Sequence, residues 1–177
     1  MSAGVAIVAV IVMGVAGSGK STVGAALARA LGWRFVDADA FHTPEAIAKM
    51  AHGQPLEDAD RWPWLDRLHA VIAKDLADGA PLVMACSALK TSYRARLAGD
   101  GGARVLFVYL AGTPDLLRGR LALRPGHFMK AAMLESQLAT LEPPGPGEAL
   151  VLDAALPVET LVARARARIA GGAAASG

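Results

Sequence analysis

The stretch VAIVAVIVMGVAGSGKST, Val5 to Thr22, decides the fold. Its first nine residues, Val5–Met13, are all apolar. Apolar, mostly β-branched residues on both alternating faces predict a strand covered by helices on both sides. A membrane-spanning helix needs roughly 20 apolar residues, and a secretory signal places a basic segment before its apolar run. Nothing basic precedes Val5, so the expectation is a cytoplasmic chain with a buried first strand. Gly14-Val15-Ala16-Gly17-Ser18-Gly19-Lys20-Ser21 then satisfies the pattern G-x-x-x-x-G-K-[ST] in full. Its glycines allow a tight turn with backbone N–H groups directed inward at phosphate oxygens. A helix opening near Lys20 aims its positive dipole end at the same point. Lys20 reaches the β and γ phosphates, and the Ser21 hydroxyl suits Mg²⁺. Gly14, Val15, Ala16, Gly17, Ser18, Gly19, Lys20, Ser21 and Thr22 form the candidate nucleotide site.

Working outward, the remaining chain alternates short apolar runs with helical patterns. Strands are expected at Trp33–Asp37, Pro81–Cys86, Arg104–Leu110 and Ala149–Asp153. Helices are expected from the P-loop to Leu31, over Pro44–Met50, from Pro63 to about Gly79, and over Lys90–Leu97. Others are expected from Thr113 to about Leu123, over Ala131–Leu141 and over Pro157–Ala170. This alternation predicts an α/β fold with a parallel sheet covered on both faces. The 177 residues suit one domain, expected over 1–170, with 171–177 as a disordered small-residue tail. Eighteen basic against sixteen acidic side chains, without a basic run, argue against a nucleic-acid binder. The single cysteine, Cys86, excludes an internal disulfide and a multi-cysteine metal site.

Two further clusters carry chemistry. Asp37-Ala38-Asp39 closes the second strand, and period-two alternation places both carboxylates on one side. Ligands of open α/β sheets lie beyond the carboxyl ends of the strands, so both acids are expected near the phosphates. Asp37 is the candidate to hold Mg²⁺ through water, because the third apolar run ends in Cys86-Ser87-Ala88 and supplies no acid. Asp39 is the candidate general base or orienting group for a hydroxyl acceptor. The bland alternative is a solvated turn. Arg118, Arg120 and Arg124 precede a Pro125-Gly126 break, and Arg120 and Arg124 share a helix face. Residues 124–142 are therefore a candidate lid. Arg124 would neutralise charge in the transition state and Arg120 would bind nucleotide, whereas Arg118 reads as an exposed basic residue.

GVAGSGKST (Gly14–Thr22), FVDADAFH (Phe35–His42) and IAKMAHGQPLEDADRWPWL (Ile47–Leu65) together resemble the gluconate kinases of the small P-loop type. ACSALKTSYRARL (Ala85–Leu97), FVYLAG (Phe107–Gly112), RLALRPGHFM (Arg120–Met129) and LESQLATLEPP (Leu134–Pro144) extend the resemblance to nearly the whole chain. It implies a three-layer P-loop NTPase fold with five parallel strands and a lid. It also implies a phosphotransferase of carbohydrate metabolism and gluconate utilisation, carrying the γ-phosphoryl group of ATP to the 6-hydroxyl of D-gluconate with Mg²⁺. Lys20, Asp39 and Arg124 would be catalytic, and Asp39, His42, Arg61, Lys90 and His127 would lie near the acceptor. Either Arg61 or Lys90 would hold the sugar-acid carboxylate, and His127 would be either a substrate contact or a lid-packing residue. By the same analogy the Asp153–Pro157 turn lies near adenine. The implied partners are gluconate and ATP, with a homodimer left open and neither nucleic acid nor membrane. Glu57 departs from the small polar residue expected at its place. Two alternatives remain: a same-fold kinase for another small acceptor such as shikimate, and a non-catalytic nucleotide-binding module.

Overall fold

The computed structural model describes residues 6–125 and 127–174, with the side chains of 127–129, 173 and 174 outside that description. Five parallel strands form one sheet: β1 (Ala9–Met13), β2 (Arg34–Asp37), β3 (Leu82–Ala85), β4 (Val105–Ala111) and β5 (Leu150–Asp153), in the order β2-β3-β1-β4-β5. Register aligns Val12 of β1 with Ala85 of β3 and Met13 with Tyr109 of β4. The strand tips therefore converge where β1 hands over to the P-loop. β1 lies between β3 and β4, at the switch point of the sheet, where open α/β sheets bind their ligands.

The helices are α1 (Lys20–Leu31), α2 (Pro44–Ala51), α3 (Asp58–Asp78), α4 (Thr91–Ala98), α5 (Pro114–Ala122), α6 (His127–Thr140) and α7 (Val158–Ala174). Two apolar layers form on either side of the sheet. Ala9, Ile11 and Met13 pack with α3, α4 and Leu134 of α6. Val10 and Val12 pack with Val23 and Leu27 of α1 and Leu161 of α7. Both faces of β1 are completely buried, which is why its sequence shows no polar alternation.

Four boundaries differ from the sequence reading by four residues or more: β1 begins at Ala9 rather than Val5, α6 begins at His127 rather than Ala131, and α3 and α7 also depart from it. α3 begins at Asp58 rather than Pro63. Its N-terminus is set by Asp60, whose carboxylate accepts the Glu57 N–H at 2.8 Å, the reciprocal half of a capping box. Pro63 is accommodated inside the helix; the carbonyl it deprives of a donor belongs to solvent-exposed Ala59. At the other end of the chain, α7 continues through Gly171 and Gly172 to Ala174. The expected tail therefore starts too early, and residues 175–177 lie outside the described residues.

α3 also shapes the second strand's exit. Trp64, 2% exposed, donates its indole N–H to the Ala38 carbonyl at 2.9 Å. This bond fixes the 3₁₀ turn Ala38–Phe41 that follows β2. Replacing Trp64 with Phe keeps an aromatic filler but leaves the Ala38 carbonyl without its donor. We expect Trp64→Phe to lose about 1–3 kcal/mol of stability, read as a lower urea midpoint at unchanged slope; an unchanged midpoint would show that this bond does not hold the turn.

Candidate active site

The P-loop is shaped by glycines in conformations closed to other residues. Gly17 and Gly19 have φ of 81° and 92°, and a Cβ on Gly17 would stand 3.1 Å from the Leu117 carbonyl. Gly19 is the N-cap of α1 and offers no side chain to its first turn. The amides of Gly17, Gly19, Lys20, Ser21 and Thr22 consequently meet no acceptor among the described residues. Five converging N–H groups at a helix N-terminus form an anion site.

Not every amide of the loop faces that site. Gly14 N–H donates to the Ser87 carbonyl at 3.4 Å and Ser18 N–H to the Val15 carbonyl at 3.2 Å. Ala16 N–H is taken by the side-chain oxygen of Gln137 at 2.7 Å. The sequence reading has all of these groups turned inward; tertiary and turn contacts claim three of them.

Lys20 opens α1 beside both acids. Burial pushes its ammonium below the usual lysine range, while Asp39 and Asp37 oppose that shift. Ser21 Oγ donates to Asp37 Oδ2 at 3.0 Å. The hydroxyl and carboxylate face solvent together, a hard-oxygen pair that fits Mg²⁺ retaining several waters. No group of three or more His, Cys, Asp or Glu able to hold a metal occurs among the described residues.

The acids come together by a different route from strand alternation. β2 ends at Asp37, which then caps the 3₁₀ turn: its Oδ1 accepts the Asp39 N–H at 3.0 Å. Asp39 therefore projects from a turn, with its side chain 78% exposed. His42 Nε2 lies 3.8 Å from Asp39 Oδ1. The His42 ring stacks on Trp64 at 4.4 Å between centroids, and its Nδ1 is buried without a partner among the described residues. Burial holds the imidazole below its ordinary pKa, so it stays neutral at pH 7.

The two candidate cations for the acceptor differ in occupancy. Lys90 Nζ is paired with both oxygens of Asp58, at 2.9 and 3.1 Å. Asp58 also accepts the Tyr93 hydroxyl, and these two bonds, Tyr93 first, hold its carboxyl below the usual range. Arg61 is 8% exposed and makes one long bond, Nε to the Leu56 carbonyl at 3.4 Å. Its guanidinium stands 5.7 Å from the Tyr93 ring centroid, and no carboxylate among the described residues pairs with it. Trp62 meets the same ring edge-on. Glu57 is exposed at the start of α3.

On the nucleotide side, Arg120 donates to the carbonyls of Gly17, Ser18 and Ala154, the last at 2.6 Å. It thereby ties the P-loop to the turn after β5. A cavity of about 290 Å³ lies there, lined by Gly17, Thr22, Arg120, Arg124, Ala154 and Leu156 among others. Arg124 also acts electrostatically on Lys20, disfavouring its charged form. Arg118 makes exposed ion pairs with Glu135 and Asp115 and lies apart from these groups. The His127 side chain lies outside the described residues.

A family model described as an AAA domain matches residues 10–144. The "Probable gluconokinase" of Mus musculus is 48% identical over 83% of this chain and 90% of its own length. The chain belongs to the gluconokinase family. The gluconokinase of Gluconobacter oxydans (strain 621H) is likewise 48% identical, over 80% of this chain and 79% of its own. A crystal structure of a gluconokinase from Sinorhizobium meliloti 1021 superposes with a TM-score of 0.81 at 46% identity, covering 93% of each chain. The gluconokinase fold is thus present here with its P-loop, the Asp37–Asp39 turn and the Lys90 loop at one edge of the sheet. No helix among the described residues is long and apolar enough to cross a membrane.

Sequence reasoning missed Tyr93, Asp58 and Gln137 as parts of this edge. Each acts through a partner at least 32 residues away, and no local pattern announces such a contact. Cys86, just past the end of β3, is buried, and that burial pushes its thiol up to about 12. It is therefore protonated and shielded at pH 8. We expect Ellman's reagent to leave Cys86 unmodified in the native protein and to modify it fully in denaturant; rapid native labelling would contradict this burial.

Proposed function

We propose that the chain transfers the γ-phosphoryl group of ATP to the 6-hydroxyl of D-gluconate, giving 6-phospho-D-gluconate and ADP. Its family membership supports this reading, and one observation carries it for this chain. A nest of amides around Lys20 opens beside the exposed Asp39 carboxylate, and buried Arg61, which makes no ion pair among the described residues, acts on the same His42 ring that Asp39 faces. The alternatives fare worse: a binding module has no use for Asp39 beside the phosphate site, and relatives at 48% identity are named gluconokinases.

In this reading the free amides of Gly17 to Thr22 and Lys20 bind and orient the phosphates. Ser21 and Asp37 would hold Mg²⁺, which would supply charge neutralisation on the phosphate oxygens. Asp39 orients the 6-hydroxyl and accepts its proton as the phosphorus–oxygen bond forms. Arg124 closes over the nucleotide side and balances charge on the transferring group, while Arg120 holds the loop that receives it. The cavity beside Ala154 and Leu156 receives the base.

For the acceptor carboxylate, the observed pairing favours Arg61 over Lys90. A buried guanidinium without a carboxylate partner is costly, and a bidentate substrate carboxylate removes that cost. Lys90 is already neutralised by Asp58. His42, neutral and with Nε2 3.8 Å from Asp39 Oδ1, is suited to bind a sugar hydroxyl through that nitrogen.

The direct test measures ADP release against sugar acids, shikimate and nucleoside monophosphates. Gluconate is expected to lead the panel; preference for another acceptor would overturn the choice of substrate. Lys20→Ala should abolish turnover in a folded protein, and Asp39→Asn should lower kcat by about 10²–10⁴; near wild-type rates would remove those residues from the mechanism. Arg61→Gln should raise the KM for gluconate about tenfold or more while leaving the KM for ATP within twofold. A larger effect from Lys90→Gln would transfer the carboxylate to Lys90.

A further inference from the structure

α6 ends between the P-loop and the loop carrying Lys90, which meets the acceptor side through the Lys90–Asp58 pair on the helix of Arg61 and through the Tyr93 ring that both cations overlie. Gln137 sends its side-chain oxygen to the Ala16 N–H of the P-loop at 2.7 Å, across 121 positions of sequence. Just past the helix, Glu142 holds the peptide groups on both sides of Lys90. Its N–H donates to the Leu89 carbonyl at 2.8 Å, and its carboxylate accepts the Thr91 N–H at 2.8 Å.

Each bond meets a need that its own loop leaves open. Lys90 is the N-cap of α4 and provides no capping bond. Glu142 acts as the missing cap, placing an acceptor and a negative charge at the helix start. The Thr91 N–H in turn holds the Glu142 carboxyl below its usual range. Immediately upstream, Ala88 has φ of 46°, a conformation unfavourable to a residue with a Cβ. Buried Arg94 secures that bend by donating to the Ala88 and Leu89 carbonyls at 3.0 and 3.3 Å. The span joining the two contacts is anchored too: Leu134 is completely buried, and Leu138 and Leu141 pack on the same core layer. Gln137 and Glu142 therefore project from a fixed arm.

We propose that Gln137 and Glu142 are positioning residues forming a rigid bracket. It sets the spacing between the P-loop and the Lys90 loop, and so the alignment of phosphoryl donor and acceptor. Neither side chain touches a reacting atom in this account. A misplacement of about 1 Å in such an alignment costs roughly a hundredfold in rate. The proposal rests on the assignment of donor and acceptor sides made above.

The experiment compares Gln137→Met, Glu142→Met and Glu142→Gln with wild type. Calorimetry gives the Kd for magnesium-ATP, and steady-state kinetics give kcat and the KM for gluconate. Gln137→Met is expected to weaken magnesium-ATP at least fivefold with the gluconate KM within twofold. Glu142→Met should do the reverse, and each should lower kcat at least tenfold. Glu142→Gln retains an oxygen for the Thr91 N–H and should recover kcat to within threefold of wild type. Lower thermal stability with unchanged Kd, KM and kcat would overturn the bracket, as would Glu142→Gln performing no better than Glu142→Met. If Glu142→Met does not fold, the nucleotide Kd of Gln137→Met decides, and a value within twofold of wild type overturns the proposal. Wild type that ignores gluconate would refute the acceptor assignment alone, because the nucleotide Kd still tests the Gln137 arm.

Discussion

Five backbone N–H groups between Gly17 and Thr22 converge without an acceptor among the described residues, and the structure is arranged around that unmet demand. Such groups are tolerated because they open to solvent at a helix N-terminus, where an anion can replace water. Their positions depend on β1, which is sealed on both faces and cannot shift without opening two apolar layers. A strand locked in this way hands over to the loop at a fixed point. The left-handed conformations at Gly17 and Gly19 then turn the chain back into α1.

The acceptor side is built on a different principle. Its charged groups are placed by packing between elements rather than by one loop. Trp64 fixes the turn bearing Asp39 and stacks on His42. The same helix carries Asp58, which neutralises Lys90, and Arg61, which is enclosed and makes no ion pair among the described residues. Two cations therefore stand close together in different electrostatic states. Of the two, only Lys90 is held in an ion pair among the described residues, and the proposed choice between them follows from that difference.

A third set of contacts relates these halves. Arg120 ties the P-loop to the turn after β5, and Gln137 ties it to α6. Through Glu142 the same arm reaches the loop carrying Lys90. The segment read from sequence as a lid thus has a carboxyl-terminal half anchored in the core.

Much of this was legible in the sequence. The apolar run of β1, the glycine spacing and the Thr113-Pro114 start of α5, whose Oγ1 caps Leu116 N–H at 3.2 Å, are local signals. Each depends on residues within one or two turns of one another, so pattern alone determined the α/β class, the phosphate site and most element boundaries. The start of α3 was misplaced because Pro63 is a strong local stop signal, overridden by the Asp60 cap and the packing of Trp64 and Leu65. The route to Asp39, the pairing of Lys90 rather than Arg61, and the reach of Gln137 to Ala16 were decided by tertiary structure alone. They depend on side chains far apart in the chain meeting across a folded sheet edge, and the partner that neutralises a charge there leaves no trace in its neighbours along the sequence.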